Sequence, residues 1–294
     1  MTNIVSWFKS LLKGAHPDGP FETFYKNGQL KAKGNYKDEK KDGLWESFHV
    51  NSQLESSGNF KGGIEEGAWE RYHENGELKF KGNYKEGQLN GLQDWFHNNG
   101  QLRERQAYKD GKKEDAWELF HESGQVKSKG GYKDGKRDGP FGIFYNNGQL
   151  RSAGIHKDDK RRGPYESYHE NGQLEAKGAS IGGKKDGLWE GFHENGQLEF
   201  KGLYKGGKRE GLWELFHENG RLSSKGEYKN DKREGPFEAY CENGHLEVKE
   251  NYKDGKQHGS YESYDENGQL KTKGDFKNGV LDGPYELYKN GVLQ

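Results

Sequence analysis

Aromatic, glycine and charged residues recur along this chain on a fixed lattice. Gly19, Gly43, Gly67, Gly91, Gly139, Gly163, Gly187, Gly211, Gly235, Gly259 and Gly283 all fall on a period of 24 residues (43 − 19), and only the fifth slot breaks it, with Asp115. Counting each lattice residue as position zero, position two is aromatic in eleven of twelve copies. The copies are Phe21, Trp45, Trp69, Trp117, Phe141, Tyr165, Trp189, Trp213, Phe237, Tyr261 and Tyr285, with Gln93 as the exception. Position five is aromatic in all twelve, from Phe24 to Tyr288. Self-similarity at such a period marks a repeat array, in which each unit covers its neighbour's apolar surface. We take Trp45, Trp69, Trp117, Trp189 and Trp213 as structural rings of that array.

Turn residues punctuate every unit. Asn-Gly pairs such as Asn27-Gly28, Asn75-Gly76 and Asn171-Gly172 predict tight hairpins of the two-residue type I′ form. Asp-Gly pairs such as Asp110-Gly111 and Asp254-Gly255 predict a second reversal. The expected fold is all-β: an elongated antiparallel β-hairpin solenoid of 24-residue repeats. With a two-residue Asn-Gly turn, Glu70 would face Lys81, Glu190 would face Lys201, and the rings of Trp69 and Trp189 would cover Gly82 and Gly202, as in aromatic rescue. Leu78 and Leu198 would then share the face of those rings. The position-five ring would fall on the opposite face unless a bulge turns it inward. A helical array is a poor competitor, because Gly and Asn recur inside every unit.

Composition fits an array better than a closed core. Hydrophobic residues make up 29% of the 294 and charged residues 32%, with a mean hydropathy of −1.31, values that alone would suggest disorder. The aromatic content of 13%, locked to the lattice, supplies the buried area. A net charge of −1 from 47 basic and 48 acidic side chains argues against a nucleic-acid partner. The lone Cys241 can form no internal disulfide. With no secretion signal or membrane span apparent, a cytoplasmic protein is expected, with membrane association through the N-terminal segment as an alternative.

Units such as GPYESYHENGQLEAKG (163–178) and GLWELFHENGRLSSKG (211–226) resemble the MORN-type repeat, in the variant form of the bacterial YwqK-like antitoxin proteins. The resemblance spans about residues 18–294. It implies a hairpin array that serves as a protein-binding scaffold, in some members attached to membrane lipid, and it implies no reaction. An antitoxin-like neutralising role enters only through the resemblance.

Candidate chemistry thins out on inspection. Histidines at position six (His49, His73, His97, His121, His169, His193 and His217) invite a metal. Equivalent residues in successive hairpins lie about 10 Å apart, whereas zinc ligands sit roughly 2.0–2.3 Å from their metal. The acidic column at position three, including Glu70 and Glu190, reads as structural for the same reason. No catalytic residue, cofactor site or metal site is expected.

Departures from the lattice are the candidates for specificity. Gln93 replaces the ring, Trp95 is displaced, Arg105-Gln106 replaces Lys-Gly, and Asp115 replaces the opening glycine, making a candidate partner patch. Ser180, where a tyrosine is expected, followed by Gly182-Gly183, is a second anomaly. Residues 1–16 form an expected amphipathic helix, a cap on the 17–294 array, and Trp7, Phe8, Leu11 and Leu12 on its apolar face are candidate partner or membrane contacts. About eleven full repeats and a partial twelfth end in a strand edge that could pair with a second copy. The sequence thus points to a non-enzymatic scaffold with a protein partner. A membrane-surface adaptor and a carbohydrate-binding array are the alternatives.

Overall fold

The computed structural model describes residue 16, residues 18–289 and residues 291–294. The expected helix over 1–16 lies outside the described residues, apart from His16. Among the described residues are twenty-seven strands, no helix, and antiparallel pairing throughout, so the chain is all-β as expected. The strands fall into two compact units. One runs to Gly139 and includes Asn146–Gly148; the other comprises Pro140–Tyr145 and Gln149–Gln294.

Each repeat contributes a hairpin such as Ile64–Tyr72 with Leu78–Lys85. The expected register holds through its body, with Trp69 opposite Gly82 and Glu70 opposite Lys81. The turn does not have the expected form. His73 N–H donates to the Glu77 carbonyl and Gly76 N–H to the His73 carbonyl, and of the Asn-Gly pair only Gly76 has positive φ. This is a type I turn closed by a left-handed glycine, a three-residue loop rather than the type I′ pair. It pairs Tyr72 with Leu78, one residue out of step, and an irregularity before the Arg71–Phe80 pair restores the register. Type I′ geometry occurs at the other reversal. Asp110 and Gly111 have φ of 47° and 75°, and Lys109 pairs directly with Lys112.

The register shift also settles where position five lies. Tyr72 donates to the Glu70 carboxylate two residues before it, so both stand on one face, opposite Trp69. In the second unit, a Cβ placed on Gly142, at the glutamate position, would meet Phe144 at 3.2 Å and Leu150 at 3.7 Å. The bulge therefore carries the position-eleven leucine to the glutamate face, and the expectation that it joins the tryptophans is corrected.

The two faces are built differently. On the ring face, Trp45, Trp69, Trp189 and Trp213 are buried between aromatic neighbours. Trp213, for example, stands edge-on to Tyr204 at 5.0 Å and stacks on Phe200 at 5.8 Å. Its ring covers Gly202 of the preceding hairpin, not the Gly226 of its own, and Trp69 likewise covers Gly58. Each indole N–H donates to the carbonyl of the residue after that glycine: Trp45 to Asn35, Trp69 to Asn59, Trp189 to Ala179 and Trp213 to Leu203, at 2.9–3.2 Å. These four rings thus bind their hairpins to the ones before them.

On the opposite face, position three alternates with position fourteen in unbroken cross-strand order. In the second unit the row runs Glu166, Lys177, Glu190, Lys201, Glu214, Lys225, Glu238, Lys249, Glu262, Lys273, Glu286. Each interior charge has an opposite charge on both sides, which an antiparallel pair rewards.

Candidate interaction surface

The repeated side chains that suggested chemistry are engaged in structure. His73 Nε2 lies 3.2 Å from the Phe96 carbonyl, His169 Nε2 2.8 Å from that of Phe192, and His217 Nε2 2.9 Å from that of Tyr240. A carbonyl only accepts, so these nitrogens carry hydrogen and staple one hairpin turn to the next. Asn75 and Asn195 do the same from the loop, donating to the Asn98 and Glu218 carbonyls.

The charged row is a paired surface. Lys177, Lys201 and Lys225 lie 2.8 Å from Glu190, Glu214 and Glu238, which belong to the following hairpin. Lys177 and Lys201 also stand over the rings of Phe192 and Phe216. Where position five is tyrosine the glutamate also accepts from it, as Glu70 does from Tyr72 and Glu238 from Tyr240. The bond to Glu70 pushes the Tyr72 phenol up to about 12, and burial followed by the bond to Glu262 does the same for Tyr264. Conversely, bonds from Tyr72 and then Lys81 hold the Glu70 carboxyl below the usual range.

Leucine exposure sets one stretch of this face apart. Leu188 and Leu203 pair across a hairpin, and the Leu203 side chain reaches toward Gly211, the neighbour of Leu212. All three are about half exposed, at 54%, 47% and 50%. They stand beside Glu190, Lys201 and Glu214. Nothing in the repeat pattern singles out these leucines, because position one holds Pro or Ala more often than Leu; the signal was their adjacency in register.

The irregular stretch 93–115 divides between interior and surface. Gln93 and Gln106 face each other and are fully buried on the ring face. Two medium side chains there replace the usual tryptophan and glycine. Gln93 sits over Gly82 in the place of a ring, and its Nε2 donates to the Asn83 carbonyl, the acceptor an indole would use. Its Oε1 accepts from Asn83 N–H. Trp95 joins the same face against Phe80, at 5.4 Å. Arg105 makes a two-pronged bond to Asp94, at 2.8 and 2.9 Å, and Asp115 holds φ of 57° at the glycine position. Trp7, Phe8, Leu11 and Leu12 lie outside the described residues.

Cations on the ring face were also missed. Position 22 holds Lys41, Arg161, Lys185, Arg209 and Arg233, each over an aromatic ring, with Arg233 3.8 Å from the Phe237 centroid. In the sequence nothing sets them apart from the other charged residues before the lattice glycine.

A chain of stacked hairpins whose repeated polar groups bind neighbouring hairpins defines a repeat protein. The MORN repeat variant family matches at residues 17–38, 65–86, 89–110, 116–134, 161–178, 185–205, 209–230, 233–254 and 257–278, and the chain belongs to that family. No curated protein matches it. Among solved structures, it is similar to a chain of the TcdB2-TccC3-Cdc42 crystal structure at 13% identity, covering 89% of this chain and 17% of that one, with a TM-score of 0.19. A TcdB2-TccC3 crystal structure matches at 14%, covering 93% and 18%, with the same score. The Photorhabdus luminescens Tc holotoxin pore matches at 14%, covering 93% and 18%, with a TM-score of 0.18. This chain thus spans less than a fifth of those chains.

Proposed function

We propose that the protein is a non-enzymatic repeat scaffold that holds a partner protein on the leucine-bearing stretch of its charged face. The observation that carries this reading is the half-exposed cluster of Leu188, Leu203 and Leu212. An apolar cluster rimmed by charge favours an interface over bare solvent. The alternating carboxylates and ammonium groups beside it supply orientation more than affinity, since exposed pairs contribute little by themselves. Membership in a family whose repeats generally mediate protein or membrane interactions supports a binding role. So does the engagement of His73, His169 and His217 with backbone carbonyls, which gives one ring nitrogen of each a structural task.

Full-length tagged protein and the variant Leu188→Glu/Leu203→Glu/Leu212→Glu, crosslinked in the source cell, test the reading. All three positions are half exposed, so the variant should keep the parent's circular dichroism. A protein captured by the parent and lost from the variant is expected. An identical set of captured proteins would overturn it.

A further inference from the structure

Six repeats close the reversal at positions nineteen and twenty with a carboxylate of their own. Asp42, Glu66, Glu114, Asp186, Glu210 and Glu234, all at position 23, accept at 2.7–3.3 Å from the first backbone N–H of the turn beside them, as Asp186 does from Gly206. A charged acceptor makes this one of the stronger kinds of hydrogen bond. Position 23 lacks a carboxylate at Asn90, Arg162 and His258, and of these only Arg162 puts a permanent positive charge in its place.

The turn beside Arg162 is Gly182-Gly183, and it keeps the geometry of a clipped turn. Its φ values are 59° and 86°, against 59° and 91° at Gly206-Gly207. Gly183 N–H donates to the Arg161 carbonyl at 2.9 Å, as Gly207 N–H does to that of Lys185 at 2.8 Å. The Gly182 N–H is therefore held toward residue 162 as the Gly206 N–H is held toward Asp186, yet no group among the described residues accepts from it.

The space before that N–H is open. A Cβ on Gly182 or Gly183 would meet nothing within 4 Å. Arg162 is exposed and has no ion pair among the described residues. Asp186 is committed to Gly206 at 2.9 Å, and Asp158 and Asp159 stand in the preceding turn. Ile181, whose ten equivalents from Lys37 to Lys277 are all lysine, is 65% exposed next to Gly182.

We propose that the Gly182 N–H and the Arg162 guanidinium bind the carboxylate of an aspartate or glutamate on the partner protein, with Ile181 against the stem of that side chain. The partner supplies the acceptor that the chain supplies for itself in six other repeats. A guanidinium beside a backbone N–H offers one donor to each carboxylate oxygen. That a partner brings the carboxylate rests on the scaffold reading above; the site itself does not depend on the leucines.

Amide NMR of the full chain, titrated with acetate against chloride at constant ionic strength, tests the site. The Gly182 amide should shift saturably, and that of Gly206, already bonded to Asp186, should not. Arg162→Gln should weaken acetate about two- to fivefold, the worth of an exposed ion pair. Arg162→Glu should restore the chain's own clip, slowing exchange of the Gly182 N–H and abolishing its response to acetate. A Gly182 amide that responds no more than Gly206, or responds equally in Arg162→Gln, would overturn the site. Leu203→Ala/Leu212→Ala should leave the response unchanged, so the site is judged apart from the leucine cluster. Crosslinking in the source cell then tests the occupant: Arg162→Glu should capture less of the parent's partner, and undiminished capture would overturn the partner's carboxylate as the ligand.

Discussion

Gly202→Ala tests whether ring-over-glycine contacts hold successive hairpins together. Gly202 has an ordinary extended φ, so alanine meets no backbone obstacle there. The new methyl carbon would instead fall among the Trp213 ring atoms, well inside the 3.4 Å at which ordinary contact begins. Trp213 is 5% exposed and wedged between Phe200, Tyr204 and Tyr228, so the ring has no free direction to move. Overpacking of this kind costs about 1–3 kcal/mol. Displacing the indole N–H from the Leu203 carbonyl, now 3.1 Å away, leaves a buried donor unpaired for roughly 1–3 kcal/mol more. Alanine's lower backbone entropy returns about 0.5–1 kcal/mol, so the net cost is about 1–5.5 kcal/mol. In a Trp213→Ala background the obstacle is gone, and the same substitution should be neutral or slightly stabilising. Long arrays lose all-or-none unfolding, so the appropriate readout is local: amide hydrogen exchange of peptides covering Leu198–Lys205 and Lys208–Phe216. Protection should fall by between one and four decades in the single variant and not further in the double. An equal loss from Gly202→Ala in both backgrounds would refute the contact.

Three further outcomes follow from the irregular repeat and the charged row. Gln93→Leu should destabilise by about 2–4 kcal/mol in urea titrations of local exchange, because Asn83 N–H and the Asn83, Asn90 and Gly91 carbonyls lose one buried partner together. Asp115→Gly should stabilise by about 1 kcal/mol, measured the same way, since φ of 57° strains an aspartate and not a glycine. For pH, a phenol held up to about 12 keeps its proton longer folded than unfolded, so the stability from Tyr72 and Tyr264 is complete below about pH 10 and is lost toward pH 12. Glu70 and Glu238 have lowered pKa values, so their contribution is present above the usual carboxylate range and is lost as pH falls through their folded values. A thermal-melting profile in which Tyr72→Phe/Tyr264→Phe leaves the alkaline limb unchanged would reject the tyrosine–glutamate account.

Much of the fold was legible because it is written a dozen times. A register derived from Trp69, Glu70, Lys81 and Gly82 in one unit places the same contacts in the others. What escaped was information carried by backbone φ. Asn75-Gly76 and Asp110-Gly111 look alike as strings, yet only the second places both residues at positive φ, and the first creates the shift that moves Leu78 to another face. The direction in which a ring leans was equally hidden, since Gly202 pairs with both Trp189 and Trp213 and only the second covers it. The candidate patch was found as an anomaly and read as a partner surface, yet its two glutamines are fully buried. Their burial follows from mutual pairing, which a single-position scan does not see.

Because Trp45, Trp69, Trp189 and Trp213 each use the glycine of the hairpin before them, a change at one such glycine is felt by the next ring. Gln106 occupies the glycine position that Trp117 would cover, and its Nε2 takes the Ala107 carbonyl that the Trp117 indole would use. Trp117 lies instead over Gly130, the glycine of its own hairpin, and its Nε1 is buried without a partner, as is Gln106 Oε1. Two orphaned polar atoms, one on each side of the Gln106–Trp117 pair, mark a weakened junction, each carrying a penalty of about 1–3 kcal/mol. Gln106→Gly would free both the carbonyl and the covering site. The Trp117 indole N–H should then gain exchange protection comparable to that of Trp69, which already donates to Asn59. A Trp117 proton that exchanges as fast in the variant as in the parent would show that Gln106 is not what holds the ring out of place.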